Sequence, residues 1–212
     1  MIRSSVEITV WQLVFCALTI VVAFTVRGAA GFGGGALAVP LLALALPVHV
    51  VVPVVTVLTA IASAEHGVRH SSKILWRQLG FLFPFVLLGV TVGLYLLNEL
   101  HATVLRQGLG AFVIAYAVFA FLTSTRPVRL PAVLLRPLGG VLAAIAGFVG
   151  TTFGGAAGPL FAIYYGNLGL DAAVFRVTIT TTLLMMAGLR IVGYAGLGLF
   201  DRPTLTVLSV GL

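Results

Sequence analysis

Apolar runs long enough to cross a bilayer, separated by short polar stretches, dominate the chain. The first run covers residues 8–26 and ends at Arg27, close to the ~20 residues a spanning helix needs. A shorter run, 36–46, stops at Pro47. At about 1.5 Å per residue it covers roughly half of a ~30 Å hydrocarbon core, so it predicts a half-helix or re-entrant element. Residues 49–63 predict a second spanning helix, followed by a polar loop that holds Glu65, His66, Arg69, His70, Lys73 and Arg77. Trp76 fits an interfacial anchor. Further spans are expected at 79–97 and 104–122, then from Leu138 onward, and from Asp171 to Tyr194 or Phe200. The last apolar stretch, 205–212, is too short to cross. We read it as the start of a helix that a longer chain would complete.

Two glycine-rich segments interrupt this pattern. One runs from Gly28 through Gly31-Phe32-Gly33-Gly34-Gly35 to Pro40, the other from Gly150 through Gly154-Gly155-Ala156-Ala157-Gly158 to Pro159. Glycine and proline break helices, and in lipid the freed backbone groups must face protein or a watery cavity. Paired interruptions at corresponding places in two chain halves point to a transporter's substrate site. Placing Gly158 on Gly35 shifts the chain by 123 residues, while matching the two Phe-Gly-Gly triplets shifts it by 121. The expected fold is therefore an all-α polytopic transmembrane helical bundle of two internal repeats with Gly-rich interrupted helices. The repeats divide the chain at 1–125 and 126–212, the second cut short at its C-terminus.

Composition agrees with this reading. The 212 residues are 60% hydrophobic and 8% charged, whereas a soluble domain carries about a quarter charged residues. The net charge of +7 is expected in the loops of a membrane protein rather than as a nucleic-acid footprint. The richest basic loops, 69–77 and 126–136, are two crossings apart and share a side, which the positive-inside bias makes cytoplasmic. Arg3 places the N-terminus on that side too if the first glycine segment is re-entrant, giving repeats of the same orientation. If each glycine segment counts as a crossing, the repeats are inverted instead. Cys16 is the single cysteine and excludes an internal disulfide.

The two glycine motifs, Gly31-Phe32-Gly33-Gly34-Gly35 with Pro40 and Gly154-Gly155-Ala156-Ala157-Gly158-Pro159 with Tyr164, Arg176 and Thr178, resemble the sulfite exporter (TauE/SafE) family, also called the toluene sulfonate uptake permease family. Ala156 and Ala157 interrupt the second glycine run, and Ile163 stands where Pro40 would have its counterpart. The resemblance implies transport of small sulfur-containing or organic anions across the cytoplasmic membrane.

A helix that starts inside the membrane offers unpaired N–H groups and the positive end of its dipole to an anion. Glycine lets an oxyanion approach that backbone. The candidate substrate-binding residues are therefore Gly31, Gly33, Gly34 and Gly35 with Gly154, Gly155, Gly158 and Pro159. Arg27, Arg176 and Tyr164 join them as charged and hydrogen-bonding partners. An arginine at the membrane centre costs roughly 2.5–3.5 kcal/mol on insertion scales. Arg176, just after the second motif, is placed to bind a sulfonate or carboxylate bidentately, whereas Arg190 is expected to snorkel near a helix end unless the sixth span continues to Phe200. Asp171 reads as a helix N-cap. The tyrosines and Thr178, Thr180, Thr181 and Thr182 either line a polar path or serve structure alone.

The predicted function is a secondary transporter of small anions such as sulfite, organosulfonates or related carboxylates, working by alternating access between the repeats. A passive anion channel or a membrane accessory factor is the alternative. No enzyme is expected: the glycine clusters contain no serine, Ser63 stands in Ala-Ser-Ala-Glu, and His-Glu-x-x-His is absent. The chain predicts no cofactor and no metal site. Its expected partners are the anion, the lipid bilayer and a second copy of itself in a homo-oligomer.

Overall fold

The computed structural model describes residues 9–30, 34–69, 73–124, 131–154 and 157–211. Among them every regular element is an α-helix: α1 (Val10–Ala30), α2 (Gly34–Ala45), α3 (Val48–Arg69), α4 (Trp76–Glu99), α5 (Ala102–Ser124), α6 (Ala132–Phe153), α7 (Gly158–Gly166), α8 (Ala172–Gly196) and α9 (Arg202–Gly211). α1, α4, α5, α6 and α8 are long and apolar enough to cross a membrane, while the apolar part of α3 is shorter, Val48–Ala64. Pro40, Pro53, Pro84 and Pro137 lie inside helices, which neighbouring helices make tolerable in lipid. α6 consequently begins before Pro137 and not after it, six residues ahead of the Leu138 start read from the apolar pattern.

Residue-level contacts fix the helix directions. Near the end of α1, Arg27 reaches Thr59 and Ser63 in the second half of α3. At its start, Gln12 Nε2 donates to the Ala45 carbonyl, where α2 ends (3.1 Å). α1 and α3 therefore run the same way, and α2 returns between them. α6 and α8 repeat the arrangement around α7: a Cβ at Gly150 would meet Ala157, and one at Gly139 would meet the Tyr164 ring. α4 runs with α6 and α8, since Gly140 faces Phe85, Gly93 faces Thr151 and Gly193 faces Leu94. At the start of α5, Arg106 Nη2 donates to the Leu44 carbonyl (3.3 Å), so the end of α4 is level with the α2–α3 turn. The α4, α6 and α8 set is thus antiparallel to α1 and α3. It also follows that α1 starts at the end of the bundle opposite the α3–α4 connection.

Two large apolar cores result, beside a small cluster of Ile74, Leu79 and Val177. One gathers α1, α2 and α3 with the ends of α4 and α8 and with Val207 of α9; the other gathers α4, α6, α7 and the first half of α8. The most extensive helix pair is α4 on α6, followed by α3 on α8. The α4–α6 pair is built on small residues, which let backbones approach closely when no hydrophobic force separates helix from lipid. A Cβ at Gly89 would lie 2.0 Å from the Ala144 carbonyl oxygen, and one at Gly147 2.6 Å from that of Val86. Outside, the bundle is apolar: Trp11, Leu18, Leu88, Phe121 and Val192 are all well exposed, as a lipid-facing surface requires.

A buried arginine and hydroxyl seam

Where α3 meets α1 on one side and α8 on the other, the interior is polar. Thr56, Thr59 and Ser63 recur at spacings of three and four along α3, which puts them on one helix face. All three are buried. Thr56 and Ser63 donate to the carbonyls one turn back, Val52 (2.8 Å) and Thr59 (2.7 Å). The Thr59 hydroxyl has no partner.

An arginine stands at each end of this stripe. Arg190 of α8 is 1% exposed, and its Nη2 donates to Thr56 Oγ1. Its Nε has no partner. The Tyr194 hydroxyl, one turn further on, donates to the Thr151 carbonyl (2.8 Å) and also lies against Thr56 and Arg190. Gly150 backs the group: a Cβ there would come within 3.1 Å of Arg190 Nη1. At the other end Arg27 Nη2 donates to Ser63 Oγ and to the Thr59 carbonyl, with the guanidinium 5.9 Å from the Phe24 ring centroid. Among the described residues, both arginines are thus held by neutral groups. The described acidic side chains are engaged elsewhere: Glu99 with Asn98, Asp171 capping Ala173, and Asp201 with Thr204.

The expected site residues separate in this structure. Arg27 belongs to the seam, and Gly34 packs against it, a Cβ there lying 2.9 Å from Arg27 Cβ. Gly35 is buried in the first turn of α2. Gly154 ends α6 with φ 66°, a conformation that favours glycine, and a Cβ there would press on Val39 of α2 and Val52 of α3. The second glycine segment therefore touches the first helix set. Gly158 and Pro159 are buried at the start of α7. Tyr164 is buried away from the seam, its hydroxyl donating to Gln78 Oε1 (2.8 Å). Arg176 is exposed in the second turn of α8, about 21 Å along that helix from Arg190. Gly31, Gly33 and Gly155 lie outside the described residues.

The expectation for Arg190 is corrected: it does not snorkel. α8 continues to Gly196, so Arg190 sits inside the helix with its side chain turned into the protein. Asp171 is the N-cap of α8, as read from the sequence, accepting from Ala173 N (3.1 Å). Of the threonines on α8, Thr181 and Thr182 bond back to helical carbonyls and Thr182 also meets the Tyr165 hydroxyl (2.7 Å). Thr180 Oγ1 and, on α6, Thr152 Oγ1 are buried without partners. The α3 stripe was missed, although its spacing of three and four was readable.

No curated protein and no solved structure matches the chain. The family model described as Sulfite exporter TauE/SafE matches residues 16–212, and with nearly its whole length covered the chain belongs to this family of membrane transporters.

Proposed function

We propose that the protein is a secondary transporter of small monovalent sulfur oxyanions and related organic anions, which bind at Arg190 between the two helix sets. The observation that carries this reading is the Arg190 guanidinium: buried, held by neutral groups among the described residues, with Nε unpartnered and Gly150 at its back. A retained charge in a membrane interior pairs or functions. An oxyanion supplies the missing counter-charge and accepts from the planar guanidinium fork.

The helix order supports two inverted repeats. A shift of 123 residues carries α1 onto 133–153 and α3 onto 171–192, against observed helices Ala132–Phe153 and Ala172–Gly196. It carries the start of α2 to 157 and that of α4 to 199, close to Gly158 and Arg202. The paired units run in opposite directions, with α5 as the link. Inverted units around a central site provide two equivalent arrangements, the basis of alternating access. The same directions bear on orientation. With the basic 69–77 and 126–136 loops in the cytoplasm, α1 starts on the outer face, which favours the inverted alternative over a cytoplasmic N-terminus.

One guanidinium with neutral donors balances one negative charge; a second would be buried uncompensated at a cost of several kcal/mol. In proteoliposomes at mildly acidic pH, where sulfite is largely the hydrogensulfite monoanion, its labelled uptake is expected to saturate and to be inhibited by methanesulfonate. Sulfate, a dianion, should inhibit at least about tenfold less well, corresponding to ~1.4 kcal/mol. Non-saturating flux would turn the reading to a channel, and flux equal to empty liposomes to an accessory role.

A further inference from the structure

We propose that Arg190 and Arg27 are two successive stations for one anion, and that the Thr56–Thr59–Ser63 stripe of α3 is the track between them. This rests on the transport reading above and adds a route to it. Each helix set contributes one arginine: Arg27 from α1, Arg190 from α8. Each guanidinium bonds to a hydroxyl of the same α3 face, Ser63 at one end and Thr56 at the other. Seven residues separate these hydroxyls, about 10 Å along the helix. Each arginine also packs against a glycine of one of the two glycine-rich segments, Gly34 or Gly150.

A single uncompensated cation in a dry interior would hold an anion too tightly to release it. Passage needs binding strong enough to admit the ion and several sites weak enough to let it leave. Two guanidiniums joined by neutral donors meet that condition. Thr59 is the informative rung. Five other buried hydroxyls, on Thr56, Ser63, Thr151, Thr181 and Thr182, donate to the carbonyl one turn back, while Thr152 and Thr180, on α6 and α8, share the lack of a partner with Thr59. The Thr59 hydroxyl, buried midway between the arginines, has no partner among the described residues. A proton donor kept free at that point is available to an anion moving past it.

The test compares wild type, Thr59→Val and Thr59→Ser in two assays with sulfite as the probe. Binding is measured by calorimetry in detergent and uptake in proteoliposomes. Val keeps the shape and removes the donor. Thr59→Val is expected to bind sulfite within about twofold of wild type while uptake falls about tenfold or more, and Thr59→Ser to restore uptake. Arg27→Gln is the second probe: binding retained at Arg190, uptake lost. Wild-type uptake in Thr59→Val, or equal loss in Val and Ser, would overturn the track and leave the transport reading intact. Absence of saturable uptake in the wild type would instead remove the reading on which the track rests.

Discussion

Arg190→Gln is expected to remove sulfite binding at the Arg190 station, leaving only what Arg27 holds, in a folded, monodisperse protein. Gln fits the space vacated by the guanidinium and can still donate to Thr56 Oγ1, the hydroxyl that Arg190 holds at present. It removes the one charge that the described residues place at that end of the seam. Truncating one partner of a buried, hydrogen-bonded charge pair costs about 2–5 kcal/mol, or roughly 30- to several-thousand-fold in affinity. Calorimetric titration of the purified protein with sulfite checks this. Arg176→Gln is the matched comparison. Its side chain is exposed in the second turn of α8, about 21 Å along the helix from Arg190, so binding should stay within about twofold. Equal losses in the two variants would mean that net charge, and not the buried site, attracts the anion.

Gly89→Ala carries the largest expected effect on stability. The added methyl carbon would be placed 2.0 Å from the Ala144 carbonyl oxygen and 2.8 Å from Phe148 N. Both are backbone atoms of α6, so no side chain can swing aside and the two helices must part along their length. Overpacking ordinarily costs about 1–3 kcal/mol, and a rigid backbone neighbour puts this case at or above the upper end. At roughly 2–4 °C per kcal/mol for a chain of this size, the melting temperature in detergent should fall by about 6–12 °C. Gly80→Ala on the same helix meets nothing within 4 Å. It should be neutral or stabilise by up to ~1 kcal/mol through helix propensity. Similar melting temperatures for both variants would contradict the close α4–α6 contact.

The order of helices was readable because a bilayer imposes a length and an apolar composition on whatever crosses it. That constraint reports where a helix is and says little about where it ends. α6 runs through Pro137, an interruption that a helix packed among neighbours tolerates and that no local pattern announces. Helix direction was less legible. The notion that α2 leaves and re-enters on one side gave way only to tertiary contacts, Gln12 to Ala45 and Arg27 to Ser63. The site divided in the same way. Arg27 was identifiable as a charge closing an apolar run, and the glycines as helix interruptions. Arg176 drew attention by its nearness to the second motif, but sequence distance does not set the side of a helix on which a residue lies. Arg190 was assigned to snorkelling because the end of α8 was uncertain by about two turns. Fixing that end at Gly196 brings its side chain inside. The α4 pair Gly89 and Gly93, four residues apart, was a legible small-residue motif that the attention given to longer glycine clusters obscured.

The central claim is that an anion crosses the bundle by way of the buried Arg190 seam. Its most direct test is labelled sulfite uptake into proteoliposomes holding equal amounts of folded wild-type and Arg190→Gln protein. Saturable uptake by wild type, with the variant no faster than empty liposomes, is the predicted result. Saturable uptake at the wild-type rate by Arg190→Gln would contradict it.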